Sequence, residues 1–211
     1  MIPLHDLALF AAAAVVLAIT PGPNMLYLIT RTLSQGKKAG FISLMGVMSG
    51  FLFHIVLVSF GLTAILFTIP YAYAILKWTG AIYLVYLAFQ ALKPNAKNIF
   101  DVEQTMKVDS PRKLFSIGFL TNVLNPKVAV FYLSLFPQFI KPAYGSVFAQ
   151  SLTLGTTQLL VSFINNFLII LFAAKMASFF QRQPFWVKIQ KWFMGSVLLF
   201  LAFKMAFSKA K

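Results

Sequence analysis

Two prolines, a glycine, a threonine and an asparagine interrupt an apolar stretch near the start of the chain. The interruption is Thr20, Pro21, Gly22, Pro23 and Asn24, and apolar residues 7–18 and 25–29 flank it. Proline has no backbone N–H and displaces the carbonyl four residues before it, so Pro21 and Pro23 would free carbonyls inside a helix. Freed backbone groups within a bilayer are tolerated only where protein buries them or they line a watery cavity. The segment therefore predicts a broken membrane helix.

A second interruption, NVLNPK at residues 122–127, lies inside another apolar stretch. At both breaks a capping residue precedes proline, which is typical of a helix start. The pairs with this pattern are Thr20-Pro21, its variant Gly22-Pro23, and Asn125-Pro126. The amides and positive dipole end of such a half-helix bind carboxylates. Proline kinks that only shape packing are the simpler interpretation, but paired interruptions in the two halves of a membrane chain are typical of a transporter's binding site.

Lys127 lies at the middle of its apolar stretch, where a cation is costly. No acidic residue lies mid-span to pair with it. It must therefore face water, a freed carbonyl such as that of Asn122, or an anionic ligand. Two interpretations stay open: Lys127 binds a substrate carboxylate, or backbone carbonyls alone solvate it.

His54 shares a helical face with small residues, of which Gly46 and Gly50 form a GxxxG pair. This spacing predicts close helix packing, with His54 pointing into the protein. His54 could relay a proton, because histidine changes charge near neutral pH, or it could hydrogen-bond across helices.

Two polar stripes indicate the walls of a hydrated pathway, although interhelical hydrogen bonds would explain either stripe alone. One stripe is Thr79, Tyr83, Tyr86 and Gln90, and the other is Gln158, Ser162, Asn165 and Asn166.

The elements that must hold these residues are membrane helices. The chain has 211 residues, 60% of them hydrophobic and 10% charged, whereas a soluble domain carries about 25% charged residues. Six apolar stretches are long enough to span a bilayer, namely 7–30, 41–69, 71–92, 114–140, 147–174 and 186–207. We predict an all-α integral membrane protein with one transmembrane domain over residues 1–211. Its six helices would form two inverted three-helix repeats, about 1–92 and 114–211, joined by a cytoplasmic loop at 93–113, and proline would break the first helix of each repeat.

The formal net charge of +14 comes from basic residues at the ends of the apolar stretches. Such residues orient a membrane protein, so we do not expect nucleic-acid binding. Most of them lie in the connections after the first, third and fifth stretches, which predicts a cytoplasmic loop at 93–113 and both termini outside. The first stretch lacks a basic n-region, and we expect it to be retained rather than cleaved. Cysteine is absent, which excludes disulfides and thiolate metal sites.

Three blocks of sequence resemble the LysE/RhtB family of amino-acid exporters, of the homoserine, threonine and leucine efflux type. They are TPGPNMLYLITRTLSQGKKAGFISLMGVMSG, KWTGAIYLVYLAFQAL and FSIGFLTNVLNPKVAVFYLSLFPQFI. The resemblance implies efflux of small amino acids or their derivatives across the bacterial cytoplasmic (inner) membrane, driven by the proton gradient. It implies functional roles for Thr20, Pro21, Gly22, Pro23, Asn24, Arg31, Gly40, Asn125, Pro126 and Lys127.

We therefore predict a secondary transporter, not an enzyme, that needs no cofactor or resident metal. The substrate carboxylate would meet the two half-helix starts near Lys127, and its ammonium would meet freed carbonyls and the amide oxygens of Gln158, Asn165 and Asn166. Since no acid lies mid-span, we expect neutral amino acids rather than lysine or arginine. The expected partners are the amino acid, protons and the lipid bilayer, with a homo-oligomer left open. A passive channel or a metal-ion exporter of the same architecture is the alternative.

Overall fold

The computed structural model describes residues 2–20, 22–62 and 108–182 continuously, and scattered positions within 78–93 and 185–207. Most of the third and sixth predicted spans and of the loop at 93–113 lie outside the described residues, as does Pro21. The described ranges form helices and contain no strand, so the all-α prediction is confirmed for them. The helices are α1 (Leu4–Ile19), α2 (Pro23–Leu57), α3 (Pro111–Val123), α4 (Pro126–Val130) and α5 (Val147–Arg182).

The first predicted break separates α1 from α2. Of the two starts that the sequence offered, the structure has the second: Gly22 is the N-cap of α2 and Pro23 its first residue. Thr20 instead ends α1, where its backbone N–H and its hydroxyl both donate to the Val16 carbonyl, at 3.1 and 2.6 Å. Gly22 is fully extended, with φ −170° and ψ −178°, so the chain crosses the break without a helical turn.

Gly36 divides α2 into two arms that fold back on each other. Its φ of 85° and ψ of 169° leave the helical region, and a positive φ favours glycine because glycine has no Cβ. Across the turn the Ser43 hydroxyl donates to the Tyr27 hydroxyl at 3.2 Å. The arm before Gly36 therefore completes the first broken span, and the arm after it forms the second span. Val58–Leu62 continues this second arm as a π-helical turn.

The second break separates α3 from α4. The Asn125 side chain caps α4 by accepting the backbone N–H of Lys127 at 3.0 Å, as the Asn-Pro pair predicts. A π-helical turn, Phe131–Leu135, and a 3₁₀ turn, Phe136–Phe139, continue α4. The halves on either side of the break, Pro111–Val123 and Lys127–Phe139, are bent by 46°.

The two broken spans run in opposite directions. Asp6 at the start of α1 pairs with Lys141 just after the second broken span, at 2.8 Å. Arg31, near the end of the first broken span, pairs with Asp109 just before α3, at 2.7 Å. Each end of the molecule thus holds the start of one broken span and the finish of the other.

By length and apolar composition, two helical segments in the described part of the chain are able to cross a membrane: Val147–Lys175, and Pro23–Phe60, which contains the turn at Gly36. The bent pair makes a third if it is counted as one span. α2 packs closely on α3 because glycine lies at the contact. A Cβ on Gly46 would run into the Phe115 carbonyl, and one on Gly118 into the Ser43 carbonyl. Gly40 lies likewise against Thr32 and the Ile170 side chain. This close packing positions both breaks in the interior of the protein.

Candidate functional site

The carbonyl end of α1, residues 16–20, is the centre of the site. The last carbonyls of a helix lack partners within it and form the negative end of its dipole. Here the Lys127 ammonium donates to the carbonyls of Leu17 and Thr20, at 3.0 and 2.6 Å. The Asn165 side-chain amide donates to the Ala18 carbonyl at 3.0 Å. Residues from the second break and from α5 thus meet at the first break, on a surface that suits a cation.

Lys127 is buried, with 8% of its surface exposed. Its side chain lies along Gly22, where a Cβ would be 3.1 Å from both Cε and Nζ. In the described part of the chain no acidic side chain pairs with it. Of the two partners that the sequence left open, the structure gives it backbone carbonyls, although these belong to Leu17 and Thr20 rather than to Asn122.

Asn122 and His54 form a second group, at the α2–α3 contact. Asn122 is fully buried, and a Cβ on Gly50 would lie only 2.6 Å from its Cβ. His54 points into the protein, as predicted, with Nε2 3.5 Å from the Asn122 carbonyl. Its ring stacks on Tyr132 with a centroid separation of 5.2 Å and an interplanar angle of 9°. Nothing in the sequence pattern pairs Tyr132 with His54, because the two residues come from different halves of the chain.

Several buried polar atoms lack a hydrogen-bond partner within the described part of the protein. They include Asn24 Oδ1, both side-chain polar atoms of Asn122, Asn125 Nδ2, Tyr132 Oη and Gln158 Oε1. An unsatisfied buried polar group costs about 1–3 kcal/mol. Asn24 and Asn125 belong to the two breaks, and Asn122 and Tyr132 contact His54, so water or a polar ligand at these places would lower that cost.

Among the described polar side chains of α5, Asn165 is the one that hydrogen-bonds to a described residue of a break. Gln158 donates to the Ser162 hydroxyl at 3.0 Å, and Asn166 donates to the Ser162 carbonyl at 2.8 Å, so both are held within their own helix. Of the other predicted stripe, Thr79 and Tyr86 are exposed. Its remaining members, Tyr83 and Gln90, lie outside the described residues.

A cluster of charged and amide groups joins the α2 turn to the start of α3. Asp109 binds Arg31 at 2.7 Å and Lys113 at 2.6 Å, and it exchanges two hydrogen bonds with Gln35. These hydrogen bonds, from Lys113 and then Gln35, with the charge of Arg31, hold the pKa of the Asp109 carboxyl below its usual value. Sequence reasoning missed Asp109, whose only local signal is its place before the Ser-Pro helix start that caps α3.

Two cavities lie on the opposite side of the breaks from this cluster. One of about 420 Å³ is lined by Asp6 and Lys141 and also by Ala13 and Leu135. Ala13 and Leu135 line a second cavity as well, of about 10 Å³, beside Lys127. A volume of about 10–15 Å³ holds one water. The two cavities are thus neighbours, and the smaller one is the one that Lys127 lines.

Comparison with known protein sequences identifies the family of the chain. The family model described as LysE type translocator matches residues 15–209, a range that includes both breaks, His54 and α5. The chain belongs to the LysE type translocator family. The resemblance that the motifs indicated is thereby confirmed, and the protein is a membrane protein of a translocator family.

Individual relatives cover most of the chain. A homoserine/homoserine lactone efflux protein of Salmonella typhi is 34% identical over 155 residues, which are 74% of each chain. An uncharacterized membrane protein of Vibrio cholerae is 30% identical over 207 residues, 98% of this chain and 99% of its own. The uncharacterized membrane protein YrhP of Bacillus subtilis is 29% identical over 146 residues, 65% of this chain and 69% of its own. No solved structure matches the chain.

Proposed function

We propose that the protein is a secondary transporter that exports small neutral amino acids or their derivatives from the cytoplasm, driven by the proton gradient. The observation that carries the proposal is the meeting of two broken helices inside the protein, with Lys127 of one on the carbonyl end of the other. Transporters bind substrates at such half-helix ends. The family match and the efflux relative support the same activity.

The site offers complementary groups for both ends of a zwitterion. Carbonyls of residues 17–20 and the side chain of Asn165 suit an ammonium group. The start of α2 at Pro23 and the ammonium of Lys127 suit the other end, a carboxylate. The amide oxygen of Asn24, which has no hydrogen-bond partner among the described residues, is an acceptor and suits an N–H donor such as the ammonium. Pro21 and the second helix start, Asn125 and Pro126, belong to the same proposed site.

The proposed architecture is a single domain of six spans in two inverted repeats. The opposite directions of the two broken spans support this arrangement, because inverted repeats require it. In the proposed orientation both termini lie on the outer side of the bacterial cytoplasmic membrane. Arg31 and Asp109 then lie at the cytoplasmic end of the protein. Alternating access would come from one repeat rocking against the other. His54 is the candidate for proton coupling, since it lies mid-span and histidine is the side chain whose charge ordinarily changes near neutral pH.

Transport by the purified protein in proteoliposomes tests this proposal. Vesicles loaded with unlabelled threonine or leucine should accumulate the labelled amino acid against its gradient, and lysine should not exchange because no acid lies mid-span to receive its second cation. Downhill flux without accumulation would indicate the passive channel instead. Transport of a divalent metal ion without amino-acid exchange would indicate the metal exporter, and preferred exchange of lysine would overturn the predicted substrate class.

A further inference from the structure

The carbonyl end of α1 is already occupied, and its occupant comes from the protein. Lys127 fills the position between the Leu17 and Thr20 carbonyls with a primary ammonium group at 3.0 and 2.6 Å. A substrate amino acid carries the same chemical group. Carbonyl oxygens at a helix C-terminus attract an ammonium whether it comes from a side chain or from a ligand.

We infer that Lys127 is a tethered stand-in for the substrate, whose ammonium group displaces it from the Leu17 and Thr20 carbonyls. The inference rests on the proposed function and adds to it a role for the empty protein. Two cations on the same carbonyls would repel strongly in a buried site, so only one can be bound at a time. Once displaced, the Lys127 ammonium pairs with the substrate's carboxylate, and it returns to the carbonyls when the substrate leaves.

The space around Lys127 is too small to hold a ligand while the lysine stays in place. The cavity beside it, about 10 Å³, has room for no more than one water. A neighbouring cavity of about 420 Å³ shares Ala13 and Leu135 of its lining with the small one. A ligand that enters from this side reaches the carbonyls only when the lysine side chain leaves them.

The empty protein also needs a cation at this position. With Lys127 removed, the carbonyls of Leu17 and Thr20 would be buried without a donor, which is costly in an apolar surrounding. Within the described ranges, the lysines that form ion pairs, Lys113 and Lys141, are held at the two ends of the protein. The tethered ammonium therefore lets the unloaded protein close over its own site.

Gly22 offers a way to loosen Lys127 while keeping its charge. A Cβ there would lie 3.1 Å from both Cε and Nζ, so the lysine must shift by a few tenths of an ångström. The extended backbone of Gly22, with φ −170°, accepts alanine without strain. Gly22→Ala thus weakens the hold of the carbonyls on Lys127, and Lys127→Met removes the ammonium entirely.

The test is calorimetric binding of L-leucinamide, which has the ammonium of an amino acid but no carboxylate, to the purified protein in detergent. Wild type, Gly22→Ala and Lys127→Met are compared, with Lys113→Met as the control for loss of a lysine outside the site. If Lys127 occupies the carbonyls for nine-tenths of the time, its removal should tighten leucinamide binding about tenfold. Gly22→Ala should tighten it by less, and Lys113→Met should leave it unchanged.

Two results would overturn the inference, and they differ. If leucinamide binds wild type, and binds Gly22→Ala and Lys127→Met no more tightly than wild type, Lys127 does not compete with it. The proposed transport is then still tested by its own assay. Leucinamide that binds none of the proteins overturns the inference together with the site on which it rests. Should Lys127→Met fail to fold, Gly22→Ala decides between these outcomes.

Discussion

At the scale of single residues, the site depends on which side chains reach the carbonyl end of α1. The sequence is sufficient to predict that Lys127 needs carbonyls or an anion, because its position inside an apolar stretch leaves few partners. It cannot predict which carbonyls, since Leu17 and Thr20 lie in the other half of the chain and only the fold brings them within 3.0 Å. The same limit applies to Tyr132, which stacks on His54.

Asn165 and Asn166 are neighbours with different expected effects on transport. Asn165→Ala removes the donor to the Ala18 carbonyl at the break, whereas Asn166→Ala removes a bond within α5. We expect Asn165→Ala to slow amino-acid exchange about tenfold, which corresponds to the roughly 1.4 kcal/mol of one hydrogen bond, and Asn166→Ala to change it little. Initial rates in proteoliposomes provide the comparison, and equal losses in the two variants would contradict the assigned geometry.

His54 carries the proposed proton coupling. His54→Gln keeps a hydrogen-bonding side chain of similar size near the Asn122 carbonyl but cannot take up a proton near neutral pH. We expect the pH dependence of efflux between about pH 5 and 8 to flatten, while the protein still binds substrate. The rate measured across this range in wild type and variant tests it, and superimposable profiles would remove His54 from proton coupling.

At the scale of helices, the breaks were predictable because proline and its capping residue act locally. Asn125 caps α4 as the motif indicates, whereas at the first break two prolines compete and the helix begins at the second. The turn at Gly36 lies in the basic connection that the sequence predicts between the apolar stretches 7–30 and 41–69. Its position within that connection comes from the structure, through the positive φ of Gly36 and the contact between Tyr27 and Ser43.

Close packing of α2 on α3 predicts different tolerances for two helical glycines. A Cβ on Gly46 would meet the Phe115 backbone carbonyl, which cannot move alone, whereas one on Gly155 would meet only side-chain atoms of Ile55, the nearest at 2.8 Å. Overpacking costs about 1–3 kcal/mol, and alanine returns about 1 kcal/mol of helix propensity at either position. Gly46→Ala should therefore lower the thermal midpoint in detergent clearly more than Gly155→Ala. A thermal midpoint that is lower for Gly155→Ala than for Gly46→Ala would contradict the packing described.

At the scale of the whole molecule, the protein is tied together at the Asp109 end and has a cavity at the Asp6 end. The carboxyl of Asp109 has a lowered pKa in the folded protein, so its contribution to stability is full above the ordinary value of 3.8 and is lost as the pH falls through the lowered one. We expect Asp109→Asn to lower the thermal midpoint at pH 7, by about 2–4 °C for each kcal/mol lost. The gap between wild type and variant should close in strong acid.

Thermal midpoints of wild type and Asp109→Asn, recorded from pH 7 down into strong acid, check this dependence. Lys113→Gln is the matched control, because the Lys113 side chain is 60% exposed and its loss should matter less than that of Asp109. A gap that widens as the pH falls would have the wrong sign for a carboxylate stabilised in the folded state.

The proposed transport depends on two broken helices that meet around a pocket for an amino acid, with Lys127 at the junction. Counterflow into proteoliposomes loaded with unlabelled threonine tests this in one measurement: labelled threonine is followed with wild type and with Lys127→Ala, at equal amounts of inserted, monodisperse protein. We expect accumulation by wild type and none by the variant. Unaltered accumulation by Lys127→Ala would contradict it.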